Sequence, residues 1–149
     1  MPTGAQIVDS FVKSLRGHEA ATVVRSAISR NVFEIRGFVN VLLYVKGRGE
    51  APYRWGVTAN VVHRLQQQEI LWFVILLFES ENTGYLLPSK DVMDHIKNTW
   101  PLAGDGDYKP ATGSYLSGSP PFSSFAQFLE QLVAHVNQTL LLAGKTRIV

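Results

Sequence analysis

Apolar side chains recur at helical spacing near both ends of the chain. Residues 5–16 carry such a stripe, which Gly17 ends, and a second short helix is predicted over 23–28. A further helix is predicted from Ser89, a suitable N-cap, to Asn98, and the last over residues 121–142. The stripe of this last helix consists of Phe122, Phe125, Leu129, Leu132, Val133, Val136 and Leu140.

Between these helices, the chain is rich in β-branched and aromatic residues. Residues 32–45, interrupted by Gly37, predict one long bent strand or a tight hairpin. A turn, KGRGEAPY, separates this region from a strand predicted over 53–61, and residues 62–69 predict a helical turn. Residues 70–78 are apolar on both faces, so they predict the central strand of a sheet that helices cover on both sides.

These elements predict one α/β domain over residues 1–149, with a central mixed sheet flanked by helices. Residues 101–121 are dense in Gly, Pro, Ser and Asp and predict an ordered loop, after which the C-terminal helix docks on the same domain. Because an apolar helix in a small domain often exceeds what one core covers, a homodimer is also expected.

Composition narrows the class of protein. The chain has no cysteine, which excludes disulfides and thiolate chemistry and is consistent with a reducing compartment. Its longest apolar run, residues 70–78, is too short to span a membrane, and no secretory signal is visible. A soluble, cytoplasmic protein without a membrane partner is therefore expected. The formal charge of +2 does not by itself indicate a nucleic-acid binder.

The order helix, β region, turn, strand, helical turn and buried strand resembles the core of the PD-(D/E)xK nuclease superfamily. In that family, an acid on the second core strand and an acid–spacer–lysine motif on the third bind magnesium and position water. On this sequence, the resemblance places Asn40 at the first acid, and Thr58, Ala59 and Asn60 at the motif. The resemblance therefore implies a restriction-endonuclease-like fold whose catalytic positions are vestigial.

Loss of these charged groups predicts a non-catalytic domain without metal or other cofactor, since Asn and Thr bring no negative charge to a magnesium ion. Its expected role is binding or assembly, with nucleic acid or with protein. One alternative is a metal-dependent nuclease whose carboxylates have migrated to Glu34 and Glu50. Alternation would place Glu34 and Asn40 on one face of a continuous strand. A protein-interaction scaffold is the other alternative.

Three residues near the vestigial motif are candidates for ligand binding. His63 and Arg64 follow the strand predicted over 53–61 and could contact phosphate, although both are also ordinary surface residues for a helical turn. Trp55 could stack on a base or belong to the core. The segment from Asp105 to Lys109 resembles the start of a calcium loop, but the acid at its twelfth position is missing, so a polar surface loop is expected.

Overall fold

The computed structural model describes residues 2–18, 22–37 and 40–142, with side chains as far as residue 140. Its first element is α1 (Gly4–Arg16), which Thr3 caps by accepting from the amide of Gln6 while the Gln6 side chain accepts from the amide of Thr3. None of the helices in the described part of the chain is both long enough and apolar enough to cross a membrane.

Five strands form one mixed sheet, so the predicted α/β class with a helix-flanked central sheet is confirmed. The strands are β1 (Thr22–Arg25), β2 (Val32–Arg36), β3 (Val41–Arg48), β5 (Leu71–Phe78) and β6 (Gly84–Pro88). Their order across the sheet is β1-β2-β3-β5-β6. The first three form an antiparallel meander, β5 runs parallel to β3, and β6 returns antiparallel to β5.

Outside the main sheet, β4 (Val57–Thr58) pairs with β7 (Asp107–Tyr108). The helices after α1 are α2 (Ala59–Gln66), α3 (Ser89–Asn98) and α4 (Phe125–Leu142), and one turn of 3-10 helix covers Ser114–Leu116. The helix predicted over residues 89–98 is thus confirmed, and the predicted last helix begins at Phe125 rather than at 121.

One predicted region is resolved and two predicted elements are wrong. Residues 32–45 form two antiparallel strands, β2 and β3, so the hairpin alternative is correct. The short helix predicted over 23–28 is wrong, because Val23 and Val24 belong to the edge strand β1. The strand predicted over 53–61 is also wrong: the strand there is only the two residues of β4, which lies outside the main sheet, and α2 begins at Ala59.

The sheet carries an apolar layer on each face, as the two-sided apolarity of residues 70–78 predicted. Helices α1 and α4 contribute to one layer, where Phe11 and Phe128 meet edge to face with ring centroids 5.0 Å apart. The opposite layer contains residues of α2 and α3 and three tryptophans, Trp55, Trp72 and Trp100. Because both faces of β5 are covered, its interior residues are almost fully buried.

The apolar stripe of α4 is used inside the domain. Phe128, Leu132, Val136 and Leu140 are buried in the same cluster as the apolar face of α1. Among the described residues, Leu102 is the only large hydrophobic residue that is exposed, with 59% of its surface accessible to solvent. A homodimer was expected because one core was not expected to cover an apolar helix. That premise is wrong, and the homodimer itself stays a prediction.

Two glycines allow the start of α1 to contact β3 backbone to backbone. A Cβ on Gly4 would lie 2.3 Å from the carbonyl oxygen of Gly47, and a Cβ on Gly47 would lie 2.6 Å from that of Gly4. Both distances are too short for any side chain, so this crossing requires glycine on both elements. The contact fixes the N-terminal end of α1 on the C-terminal half of β3.

Candidate functional site

The three positions predicted to form a vestigial nuclease site lie apart. Asn40 precedes β3, where its side chain accepts a 3.4 Å hydrogen bond from the amide of Gly37. Thr58 lies beside the middle of β3, since its amide donates to the hydroxyl of Tyr44 at 3.1 Å. Tyr44 lies four positions after Asn40, about 13 Å along the direction of β3. Asn60 is exposed in the first turn of α2, so the three do not form one site.

The two carboxylates considered as migrated ligands are also separate. Glu34 lies on β2, where it pairs with the guanidinium of Arg36. Glu50 lies in the exposed turn after β3. The expectation that Glu34 and Asn40 share one strand is wrong, because β2 and β3 are antiparallel and Asn40 follows the reversal. Within residues 2–18, 22–37 and 40–142, no group of three or more histidine, aspartate and glutamate side chains could hold a metal ion.

The predicted binding residues have structural contacts of their own. Trp55 is only 2% exposed, and its indole N–H donates to the carbonyl of Leu77 at 2.8 Å, so it cannot present a face to a base. Arg64 donates to the carbonyl of Ile28 at 2.7 Å and thereby ties α2 to the turn before β2. His63 is exposed on α2, with its ring 3.3 Å from the side-chain amide of Gln67.

The loop that resembles the start of a calcium site holds a lysine between its carboxylates. The ammonium of Lys109 lies 2.7 Å from Asp105 and 3.6 Å from Asp107. The hydrogen bond from Lys109 is the main cause that lowers the pKa of Asp105, and the same bond raises the pKa of Lys109. The loop is ordered as expected: β7 pairs with β4, which sets Asp107 opposite Thr58.

A different group of side chains lines the space between α1 and the strands β1 and β2. Two cavities adjoin there, of about 370 and 260 Å³, and they share Asp9, Arg25 and Phe33. Together they follow α1 from Gly4 to Arg16, and we call them the α1 groove. Four cationic side chains line its described part: Lys13, Arg16, Arg25 and Arg30. Asp9 is the single carboxylate residue in the same lining.

These cations are poorly neutralised. In the part of the chain that the structure describes, the salt bridges join Arg36 to Glu34, and Lys109 to Asp105 and Asp107, so none involves a groove cation. All four are exposed. The groove therefore presents a concentration of positive charge that the net charge of +2 does not reveal.

Two cations in or beside the groove have distinctive surroundings. The guanidinium of Arg25 lies 5.5 Å from the centroid of the Phe33 ring, a cation–π arrangement that favours one orientation. Lys46 on β3 projects to the opposite face of the sheet, because Val45 and Gly47 on either side of it face α1. Burial lowers the pKa of Lys46; Asp107 opposes this effect, and the charges of Arg30 and Lys109 act with it.

Separate elements bring the four cations together. Lys13 and Arg16 are one turn apart in the last turns of α1, where cations also complement the helix dipole. The amide of Val45 donates to the carbonyl of Asn31 at 2.9 Å, so the preceding residue Arg30 is held beside β3. Sequence reasoning missed this group because its members are scattered. The signal that could have indicated it is the charge of α1, which has two cations, Lys13 and Arg16, in its last turn and no acidic residue in its first turn.

No protein-family model matches the chain, and no curated protein matches it. A functional assignment therefore depends on the geometry and charge of the α1 groove.

Proposed function

We propose that this chain is a non-catalytic nucleic-acid-binding domain that holds a phosphate backbone along the α1 groove. The observation that carries the proposal is the lining of the groove, with four cations and one carboxylate residue in its described part. Arginine and lysine in a concave surface attract phosphate, and their effect increases where low-dielectric walls focus the field. This role is the nucleic-acid form of the binding function that the sequence suggested.

The dimensions of the groove suit a strand rather than a single small anion. Helix α1 has 13 residues and is therefore about 20 Å long. Successive phosphates of one strand are about 3.4 Å apart along a B-form axis, so several of them could lie beside the helix. A polyanion of this length could contact all four cations at once.

The groove offers phosphate contacts rather than base contacts. The one aromatic residue in its described lining, Phe33, is only 1% exposed and lies beneath Arg25. Base stacking requires an accessible ring, and direct reading of bases requires side chains aimed at their edges. Binding through this lining should therefore depend strongly on salt and weakly on sequence.

Relationship to the PD-(D/E)xK superfamily remains part of the proposal and gains support from strand order. Helix α1, three antiparallel strands, α2 and the parallel strand β5 follow one another along the chain, so the helix, β region, helical turn and buried strand of the resemblance are present, whereas the strand expected over residues 53–61 is not. On these strands the family pattern would fall on β2 and β3, where Glu34 could serve as the first acid. Tyr44 would replace the second acid, and Lys46 would keep the lysine. One carboxylate without a second is consistent with binding that has lost catalysis.

The test is the salt dependence of oligonucleotide binding, measured by fluorescence anisotropy. If all four cations neutralise phosphates, the slope of log K against log salt should approach about −2.8 for single strands and −3.6 for duplexes. Affinity should then fall by roughly 50- to 150-fold between 50 and 200 mM salt. A double variant, Lys13→Gln with Arg16→Gln, should reduce the slope by about 1.4 to 1.8.

A matched control is Lys97→Gln, which removes an exposed cation from α3 on the opposite side of the sheet. It should leave the slope of the parent unchanged. Absence of binding at low salt, or equal losses in the control and the groove variant, would refute the proposal. The protein-interaction scaffold would then be the remaining hypothesis. Metal-dependent cleavage of the bound strand would instead refute the non-catalytic part.

A further inference from the structure

Asp9 lies in the middle of the α1 groove. It lines both cavities, whereas Arg30 lines only the larger one, and Lys13 and Arg16 line only the smaller one. Asp9, Lys13 and Arg16 follow one another at spacings of four and three residues, so they lie along one stripe of α1. A nucleic-acid strand in this groove would therefore pass a carboxylate that has cations on either side of it.

The carboxylate of Asp9 is available to a ligand. Asp9 is exposed, and it makes no salt bridge with another described residue, although four cations line the same groove. Its carboxylate oxygens also accept no hydrogen bond from the part of the chain that the structure describes. An ionised carboxylate can accept hydrogen bonds and cannot donate one. The ligand group that lies beside Asp9 should therefore be a hydrogen-bond donor.

A phosphate of the strand cannot be that donor, because its negative charge repels the carboxylate. In a nucleic-acid strand, a sugar lies between successive phosphates. Phosphates held by the cations on either side of Asp9 would therefore bring a sugar to the carboxylate. A ribose carries a 2′-hydroxyl, which can donate a hydrogen bond, and a deoxyribose lacks it. Asp9 is thus placed where ribose and deoxyribose differ in the contact they can make.

We propose that Asp9 makes the α1 groove selective for RNA, by accepting a hydrogen bond from a ribose 2′-hydroxyl while the flanking cations hold phosphates. This inference rests on the proposed function and names the class of nucleic acid for the same groove. The selectivity has two components. A hydrogen bond to a carboxylate stabilises bound RNA, whereas with DNA the carboxylate repels the nearby phosphates without any compensating contact.

The experiment compares three single-stranded uridine oligonucleotides of equal length, with ribose, deoxyribose or 2′-O-methyl ribose as the sugar. Uracil has no exocyclic amino group, so no such donor on the base competes for the carboxylate. Binding to the full chain is measured by fluorescence anisotropy at constant ionic strength. The ribose form should bind about tenfold more tightly than the other two, because the 2′-O-methyl form keeps the oxygen and lacks the donor.

Variants test whether the preference comes from Asp9. Asp9→Ala removes both the acceptor and the negative charge, so it should strengthen binding of the deoxyribose form and abolish the preference. Asp9→Asn keeps an acceptor oxygen without the charge, so it should reduce the preference without abolishing it. The matched control, Asp94→Ala, removes an exposed carboxylate from α3 on the opposite side of the sheet and should preserve the tenfold ratio. Circular dichroism of each variant checks that the fold is intact.

The outcomes separate this inference from the proposed function. Salt-dependent binding with equal affinity for all three oligonucleotides would overturn the selectivity for RNA and leave the groove proposal in place. Absence of binding by any of them would overturn both. Equal binding of the ribose and 2′-O-methyl forms would show that the donor is not recognised, and a preference that survives Asp9→Ala would show that another residue recognises it. Either result would overturn the role of Asp9.

Discussion

Replacement of Trp55 distinguishes a core residue from a base-stacking one. The side chain is 2% exposed and its indole N–H donates to the carbonyl of Leu77 on β5 at 2.8 Å. Its ring makes edge contacts with Phe78 and Tyr85, at centroid distances of 6.5 and 6.3 Å. Trp55 therefore anchors the irregular segment before β4 to the most buried strand of the sheet.

The expected loss in the free energy of unfolding follows from these contacts. Trp55→Phe keeps an aromatic ring but removes the donor, which leaves a buried carbonyl without this partner at a cost of about 1–3 kcal/mol. Trp55→Ala also removes the packed ring, and such truncations cost about 3–5 kcal/mol. A domain of this size has a total stability of about 5–15 kcal/mol, so the alanine variant should lie close to unfolding.

Urea unfolding followed by circular dichroism measures the effect as a lower midpoint with an unchanged m-value. Tyr53→Phe is the matched control, because its hydroxyl donates to Glu79 at 2.6 Å at an exposed position. It should change stability by less than about 1 kcal/mol. Full stability of Trp55→Phe together with a tenfold loss of oligonucleotide affinity would refute the buried role and make Trp55 a stacking residue.

Three further predictions concern the neighbourhood of β3. Gly47→Ala should lower the free energy of unfolding in urea by about 1–3 kcal/mol, because its Cβ would lie 2.6 Å from the carbonyl oxygen of Gly4. Gly104→Ala is the control and should leave the stability unchanged, because a Cβ there meets open space. Burial lowers the pKa of Lys46 below 10.5, so the unfolded state binds its proton more tightly. Stability should rise with pH between the lowered pKa and 10.5, and Lys46→Met should remove that rise. Burial raises the pKa of Tyr44 above 10.0, so stability should fall with pH above 10.0, and Tyr44→Phe should remove that fall. Unfolding midpoints that show the same pH dependence in parent and variants would contradict the last two.

Elements with one strong period were predictable from sequence. The stripes of α1, α3 and α4 have helical spacing, and β5 is a continuous apolar run, so each needed no knowledge of its partners. The edge strand β1 failed because Val23 and Val24 are both half-buried and show no alternation. Two adjacent apolar residues followed by Ala27 and Ile28 satisfy a helical period equally well.

The segment over residues 53–61 failed for a different reason. Trp55 and Val57 are buried and Gly56 between them is not, which gives the alternation of a strand. That alternation arises because the segment packs on the opposite layer of the core, with only β4 hydrogen-bonded as a strand. An alternating burial pattern thus shows that a segment packs one side against a core. It does not show whether that segment is hydrogen-bonded to a neighbouring strand in a sheet.

The candidate site was beyond sequence reasoning because its cations belong to separate elements. Lys13 and Arg16 lie on α1, Arg25 on β1 and Arg30 in the following turn. They converge only because the antiparallel meander returns beneath α1. A search for short motifs directed attention to Asn40, Thr58 and Asn60, which share neither an element nor a face.

The proposed groove is also a source of instability. Its cations repel one another, and no salt bridge in the described part of the chain neutralises them. Helix α1 is nevertheless held in place by the backbone contact of Gly4 with Gly47 and by the aromatic packing of Phe11 on Phe128. A rigid helix and strands therefore maintain a charge arrangement that the cations alone would open. Because a site built in this way needs little rearrangement, a phosphate that enters it gains most of the available electrostatic energy as affinity.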